Sequence, residues 1–399
     1  MKTGKWLRVL LGVAPLLCGC GDFWQSPYSS SNNGNNGGGC KTNCSNNTVS
    51  GNFYVANQAT SQIAAFNITN GKLTKITGSP YSMSSKPVAI AVAPNGAFLY
   101  VSTTAGIYLF TIDSTTGALT PGSNSSPISA DVATSMQVDS SSSWLVEAGP
   151  NAAALNAVPV DPSSGLAGSS SEQHATLPAA TVHQVLISPD NGRVFVALGS
   201  SGTYEIPFQS SSATPFQSSL AIPIPVKNST GSALSIAVDP DSRAFYIGET
   251  LGNSAANSGG LRVFNYASLT STLAEAPGSP FDSGGLSPVA ILPADSGTYV
   301  YVANSTGDTS AGNIAGFSLQ TSQSAYTLSA LAATIPTGYL PAGLAVESTG
   351  KYVLAVNAGG HPDFQAYSFD SATAGKLDSA LSASTGADPA DAVAIAAAP

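Results

Sequence analysis

Few side chains in this chain can do acid–base or metal chemistry. Of 399 residues, 22 are Asp or Glu, 13 are Lys or Arg and three are His. The histidines are His174, His183 and His361, and beyond the first fifty residues the arginines are Arg193, Arg243 and Arg262. Histidine is the side chain whose unperturbed protonation equilibrium lies nearest neutral pH, so general-base chemistry has three places to start. Metal chemistry is not signalled. There is no His-x-His, no Glu-x-x-His and no Asp-rich loop dense enough for calcium. No Gly-x-Ser-x-Gly elbow occurs between a strand and a helix, and no Gly-rich phosphate loop opens a helix. No cofactor and no metal ligands are expected. The net charge of −9 comes without a Lys/Arg cluster, which argues against a nucleic-acid partner.

The elements that must position these groups are short strands in a long repeat. An aromatic-aliphatic phrase occurs seven times: Phe53-Tyr54-Val55-Ala56-Asn57, Phe98-Leu99-Tyr100-Val101, Trp144-Leu145-Val146, Val194-Phe195-Val196, Phe245-Tyr246-Ile247, Tyr299-Val300-Tyr301-Val302-Ala303-Asn304 and Tyr352-Val353-Leu354-Ala355-Val356-Asn357. Aligned on Tyr54, Tyr100, Leu145, Phe195, Tyr246, Tyr301 and Leu354, the copies lie 45 to 55 residues apart. Each phrase is followed by a second alternating strand, then a Gly-x-Leu hairpin such as Thr116-Gly117-Ala118-Leu119, then an Ala-rich strand such as Pro87-Val88-Ala89-Ile90-Ala91-Val92. Four strands per unit at this period define a β-propeller. The small Ala-rich strands fit where blades converge on the axis.

The chain enters the repeat on the phrase strand and leaves it on Pro389-Ala390-Asp391-Ala392-Val393-Ala394-Ile395-Ala396, an inner strand with nothing after it. Ring closure follows: the C-terminal strand completes the first blade and removes both free sheet edges. The expected fold is an all-β, seven-bladed propeller over residues 51–399. Six blades is the alternative, should the irregular third repeat be an insertion.

Residues 1–20 read as a secretory leader. Lys2, Lys5 and Arg8 precede a short apolar run that is too short to span a bilayer. Its end, Leu17-Cys18-Gly19-Cys20, resembles a bacterial lipobox in which Cys20 takes the lipid. Residues 21–50 form a Ser/Asn/Gly-rich tether that cannot bury apolar area. Within it, Cys40 and Cys44 are expected to close a small disulfide in an oxidising compartment; a metal site or free thiols are the alternatives. The expected location is the bacterial cell envelope, with the membrane engaged through the lipid alone and the protein monomeric.

With the Ser/Ala-Pro-Asp/Asn-Gly-x-x-x-Tyr-Val phrases and the Gly-x-Leu hairpins, residues 50–399 resemble the seven-bladed lactonase family, which includes bacterial 6-phosphogluconolactonase and fungal muconate cyclase. The resemblance implies a catalytic face with one His, one Glu and substrate-binding arginines. Val182-His183-Gln184-Val185-Leu186-Ile187-Ser188-Pro189 places His183 at the family's His, and Phe245-Tyr246-Ile247-Gly248-Glu249 places Glu249 at its Glu. The arginine positions are not kept: Ala233-Leu234-Ser235 and Asn304-Ser305-Thr306-Gly307 stand there instead. A phosphorylated or carboxylated lactone needs cations to offset its charge. The expected activity is therefore hydrolysis of a neutral lactone or ester, with His183 as base and Glu249 orienting or protonating it. A hydrogen-bonded core histidine and a loop-capping glutamate are the alternative reading of the pair. His174 and His361 are expected in solvated loops. The alternative function is a non-catalytic binding or scaffold propeller that holds an envelope protein or glycan.

Overall fold

A computed structural model describes residues 51–399, apart from 124–125, 151–152, 169–170, 180, 253–257, 267–272, 295, 308, 323–324 and 332. The leader and tether, with Cys20, Cys40 and Cys44, lie outside the described residues.

The phrase strands are the second strands of seven antiparallel blades. They run Gly51–Asn57, Phe98–Thr103, Trp144–Ala148, Arg193–Ala197, Ala244–Thr250, Tyr299–Ser305 and Tyr352–Gly360. The inner strands pair with them at Pro87–Val92, Ser135–Val138, Gln184–Ile187, Ser232–Val238 and Ser287–Ala294; those of blades three and four, Ser-Met-Gln-Val and Gln-Val-Leu-Ile, carry no alanine. Blades six and seven share one ladder. The strand Ile335–Val346 continues the sixth blade at its start and becomes the inner strand of the seventh at its end.

The ring closes as the chain ends imply. Ala392–Ala397 lies antiparallel to Gly51–Asn57, with Tyr54 opposite Ala396 and Val55 opposite Ile395. The closing strand starts three residues later than expected. Before it, the carbonyls of Asp391 and Ala390 accept the N–H groups of Gln58 and Ala59.

Packing between blades corrects the alignment of the third repeat. Alternate residues of a strand face opposite neighbours, so a one-residue shift exchanges the two faces. Tyr54, Tyr100, Tyr246 and Tyr301 all pack toward the following blade. Leu145 packs toward the preceding one, and Trp144 and Val146 pack toward the following one. The equivalent of Tyr100 is therefore Val146. The sequence gives no aromatic at this point of the phrase to mark the register.

The repeat phrase and the hairpin glycine also meet across blades. The Tyr54 hydroxyl donates to the Gly117 carbonyl of blade two at 2.8 Å. Tyr100 donates to Gly165 of blade three at 3.0 Å, and Tyr301 to Gly375 of blade seven at 2.7 Å. In blade three, Trp144 Nε1–H reaches the Ser210 carbonyl of blade four at 2.8 Å. Buried phenols usually find acceptors; for these three tyrosines the acceptor lies in the neighbouring blade, whereas the buried hydroxyl of Tyr246 in blade five has none among the described residues.

Candidate active site at the channel mouth

In each blade the start of the inner strand, the end of the second strand and the start of the third lie at one end of the ring, because successive strands are antiparallel. His183 directly precedes the inner strand of blade four, and its N–H donates to the Ala197 carbonyl at 2.9 Å. Its Nε2 stands 3.1 Å from where a Cβ on Gly199 would sit. Gly199 in turn bridges Ala233, and Ala233 lies opposite Glu249. The backbones of His183 and Glu249 thus lie on the same rim, in adjacent blades. His183 is half-buried, and burial lowers the basicity of its ring below the ordinary value of 6.5. A neutral imidazole is the form that can accept a proton.

The carboxylate of Glu249 is engaged by the protein itself. It is 1% exposed. Oε1 accepts from Arg262 Nη1 at 2.8 Å, and Oε2 accepts the Lys227 N–H at 2.9 Å. Arg262 also pairs with Glu275 at 3.0 Å and donates to the Pro225 carbonyl at 2.8 Å. Three other blades explain this position. Asn57, Asn304 and Asn357 occupy the same place in their phrases, are fully buried, and donate to the carbonyls of Thr385, Ser283 and Pro362. Glu249 performs the same stitching of a rim loop, with an arginine added to neutralise it.

All three propeller arginines have carboxylate partners. Arg193 meets Glu205 at 3.1 Å, Arg243 meets Asp239 at 2.8 Å, and Arg262 holds Glu249 and Glu275. His174 lies on a strand, Gln173–Thr176, and not in a loop, although it is exposed as expected. His361 is an exposed loop residue packed against Tyr339, with ring centroids 5.0 Å apart. Neither joins His183.

A closed ring of seven antiparallel blades, with a half-buried histidine on one rim, defines a seven-bladed β-propeller. The chain belongs to the lactonase seven-bladed β-propeller family, whose pattern it matches over residues 57–390. Solved structures share the fold. A candidate 6-phosphogluconolactonase from Bacteroides fragilis is 15% identical, with a TM-score of 0.64, 89% of this chain and 99% of that chain being covered. The Pseudomonas aeruginosa periplasmic gluconolactonase PpgL is 16% identical, also with a TM-score of 0.64, with 88% and 99% covered. A candidate 6-phosphogluconolactonase from Bacteroides uniformis is 17% identical at the same TM-score, with 87% and 99% covered. Comparison with curated proteins gave no match.

Proposed function

We propose that this protein is an envelope-anchored lactonase that opens an uncharged lactone or ester, with His183 as its general base. The supporting observation is a half-buried, neutral imidazole at the mouth of a lactonase-family propeller whose arginines are all paired internally. His183 takes a proton from water as the oxygen adds to the ester carbonyl. The ring C–O bond then breaks, and the proton returns to the leaving alkoxide, giving the hydroxy acid. Glu249 serves this reaction by fixing the rim loop through Lys227 N–H and Arg262.

Charge selectivity follows from the arginines. Arg193 and Arg243 stand at or just before the starts of their second strands, the end of the blades away from His183, and Arg262, beside Glu249, would have to leave a carboxylate already 2.8 Å distant. Breaking a buried pair costs about 3–5 kcal/mol, so a phosphate gains little here. The leader, Cys20 and the tether would hold the domain outside the cytoplasmic membrane.

The test is a panel of uncharged and 6-phosphorylated aldonolactones assayed on the purified protein by acid release. Faster hydrolysis of the uncharged members is the expected result. Preference for the phosphorylated members would refute the charge argument. Binding without turnover of any lactone would favour the non-catalytic propeller.

A further inference from the structure

Blade three carries a cluster that the lactonase reading does not use. Glu147 lies on its second strand, fully buried. With Val146 as the equivalent of Tyr100, Glu147 takes the place held by Val55, Val101, Val196, Ile247, Val302 and Ala355 in the other six blades, all fully buried. A carboxylate where six blades place an aliphatic side chain needs a compensating partner. The chain supplies half of one. Asn156 Nδ2 donates to Glu147 Oε1 at 2.5 Å, and Asn156 is held from behind by His174 Nδ1 at 2.9 Å. Glu147 Oε2 is buried and has no hydrogen-bond partner.

Beside it stand two more acids. Asp131 comes from the connection between blades two and three, and Glu172 directly precedes the outer strand Gln173–Thr176. Ligand oxygens of Asp131, Glu147 and Glu172 all lie within 4.8 Å of one another. No Lys or Arg occurs anywhere between Lys86 and Arg193. Among the described residues, the one basic group paired with any of the three is His174, 3.7 Å from Glu172 and largely exposed.

We propose that Asp131, Glu147 and Glu172 form a site for a divalent cation of the calcium type. Two oxygens bound to one calcium at 2.3–2.6 Å can be at most about 4.6–5.2 Å apart, so each pair is close enough to share one ion, and the three together need to draw in by no more than a few tenths of an ångström. Glu147 Oε2 would then gain the partner it lacks. Asp131 and Glu172 are only half-buried, which leaves the outer side open for the waters that complete six to eight ligands. Burial, partly offset by the Asn156 hydrogen bond and reinforced by the two neighbouring acids, pushes the Glu147 carboxyl up to about 7. The ion would join the junction of blades two and three to the outer strand of blade three. The three ligands come from three separate segments, so no calcium-loop pattern announces them.

The experiment is calcium titration of the full-length protein after EDTA treatment, by calorimetry and thermal melting. One ion per chain is expected, with Tm rising about 3–4 °C at a hundredfold excess over Kd. Glu147→Gln, which keeps the volume and the Asn156 contact region, should abolish both signals. Asp131→Asn, at a half-exposed position that does not threaten folding, should weaken binding at least tenfold. No heat and no Tm shift in the wild-type protein would overturn the proposal. So would an unchanged calcium response in Asp131→Asn.

Discussion

At the scale of the residue, His183 and Glu249 are alike in sequence and unlike in circumstance. Both match a family motif, yet one is half-buried with a depressed basicity and the other is enclosed by Arg262 and the Lys227 N–H. The motif shows which strand ends carry the pair. It cannot show where a side chain points, because that depends on Arg262, thirteen residues on, and on a loop twenty-two residues back. Glu249→Gln should therefore cost stability, by about 1–3 kcal/mol, since Arg262 loses one charged partner and keeps Glu275; urea denaturation would measure it. His183 adds a pH dependence with a definite sign. Its folded protonation equilibrium lies below 6.5, so its contribution to stability is complete above that value and is lost as pH falls through the window beneath it. His183→Gln should flatten the stability curve in that window, seen in melts from pH 7.5 to pH 5.

At the scale of the element, the repeat phrase and the hairpin glycine were visible as separate words, and their contact was not. Tyr54 is 63 residues from Gly117, and only the ring of blades brings hydroxyl and carbonyl together. Tyr54→Phe should destabilise the protein by about 1–2 kcal/mol, the cost of leaving a buried carbonyl without its donor, measured by chemical denaturation. The glycine carries a second constraint. Gly117 has φ of +70°, and a Cβ there would come within 2.9 Å of Ile76 Cδ1. Gly350 has the same φ of +70° with nothing within 4 Å. Both Ala substitutions pay for the left-handed backbone, about 1 kcal/mol, but Gly117→Ala should cost measurably more in the same assay. Equal losses would mean that the blade interface yields freely. The misplaced third repeat belongs to this scale too. Leu145 and Val146 are interchangeable by composition, and only the packing of Trp144 against blade four sets which way the strand faces.

At the scale of the whole molecule, seven blades and their closure were legible because the chain starts and stops out of phase with its own repeat. The paired strands Ala392–Ala397 and Gly51–Asn57 follow from that offset. Removing residues 392–399 should expose the inner edge of blade one and lower the Tm of the entire ring in a single transition, whereas an open array would lose only its last unit. The acidic cluster of blade three was not legible, since its outermost members, Asp131 and Glu172, stand 41 residues apart and converge only in the folded blade. The proposed hydrolysis rests on His183, and one measurement tests it most directly: kcat/KM for an uncharged aldonolactone, compared between the wild-type protein and His183→Gln with folding verified by matched melts at pH 7.5. The account predicts turnover by the wild-type protein and a loss of about 10²–10⁴-fold in the variant. A variant as active as the wild type, with its fold intact, would contradict it.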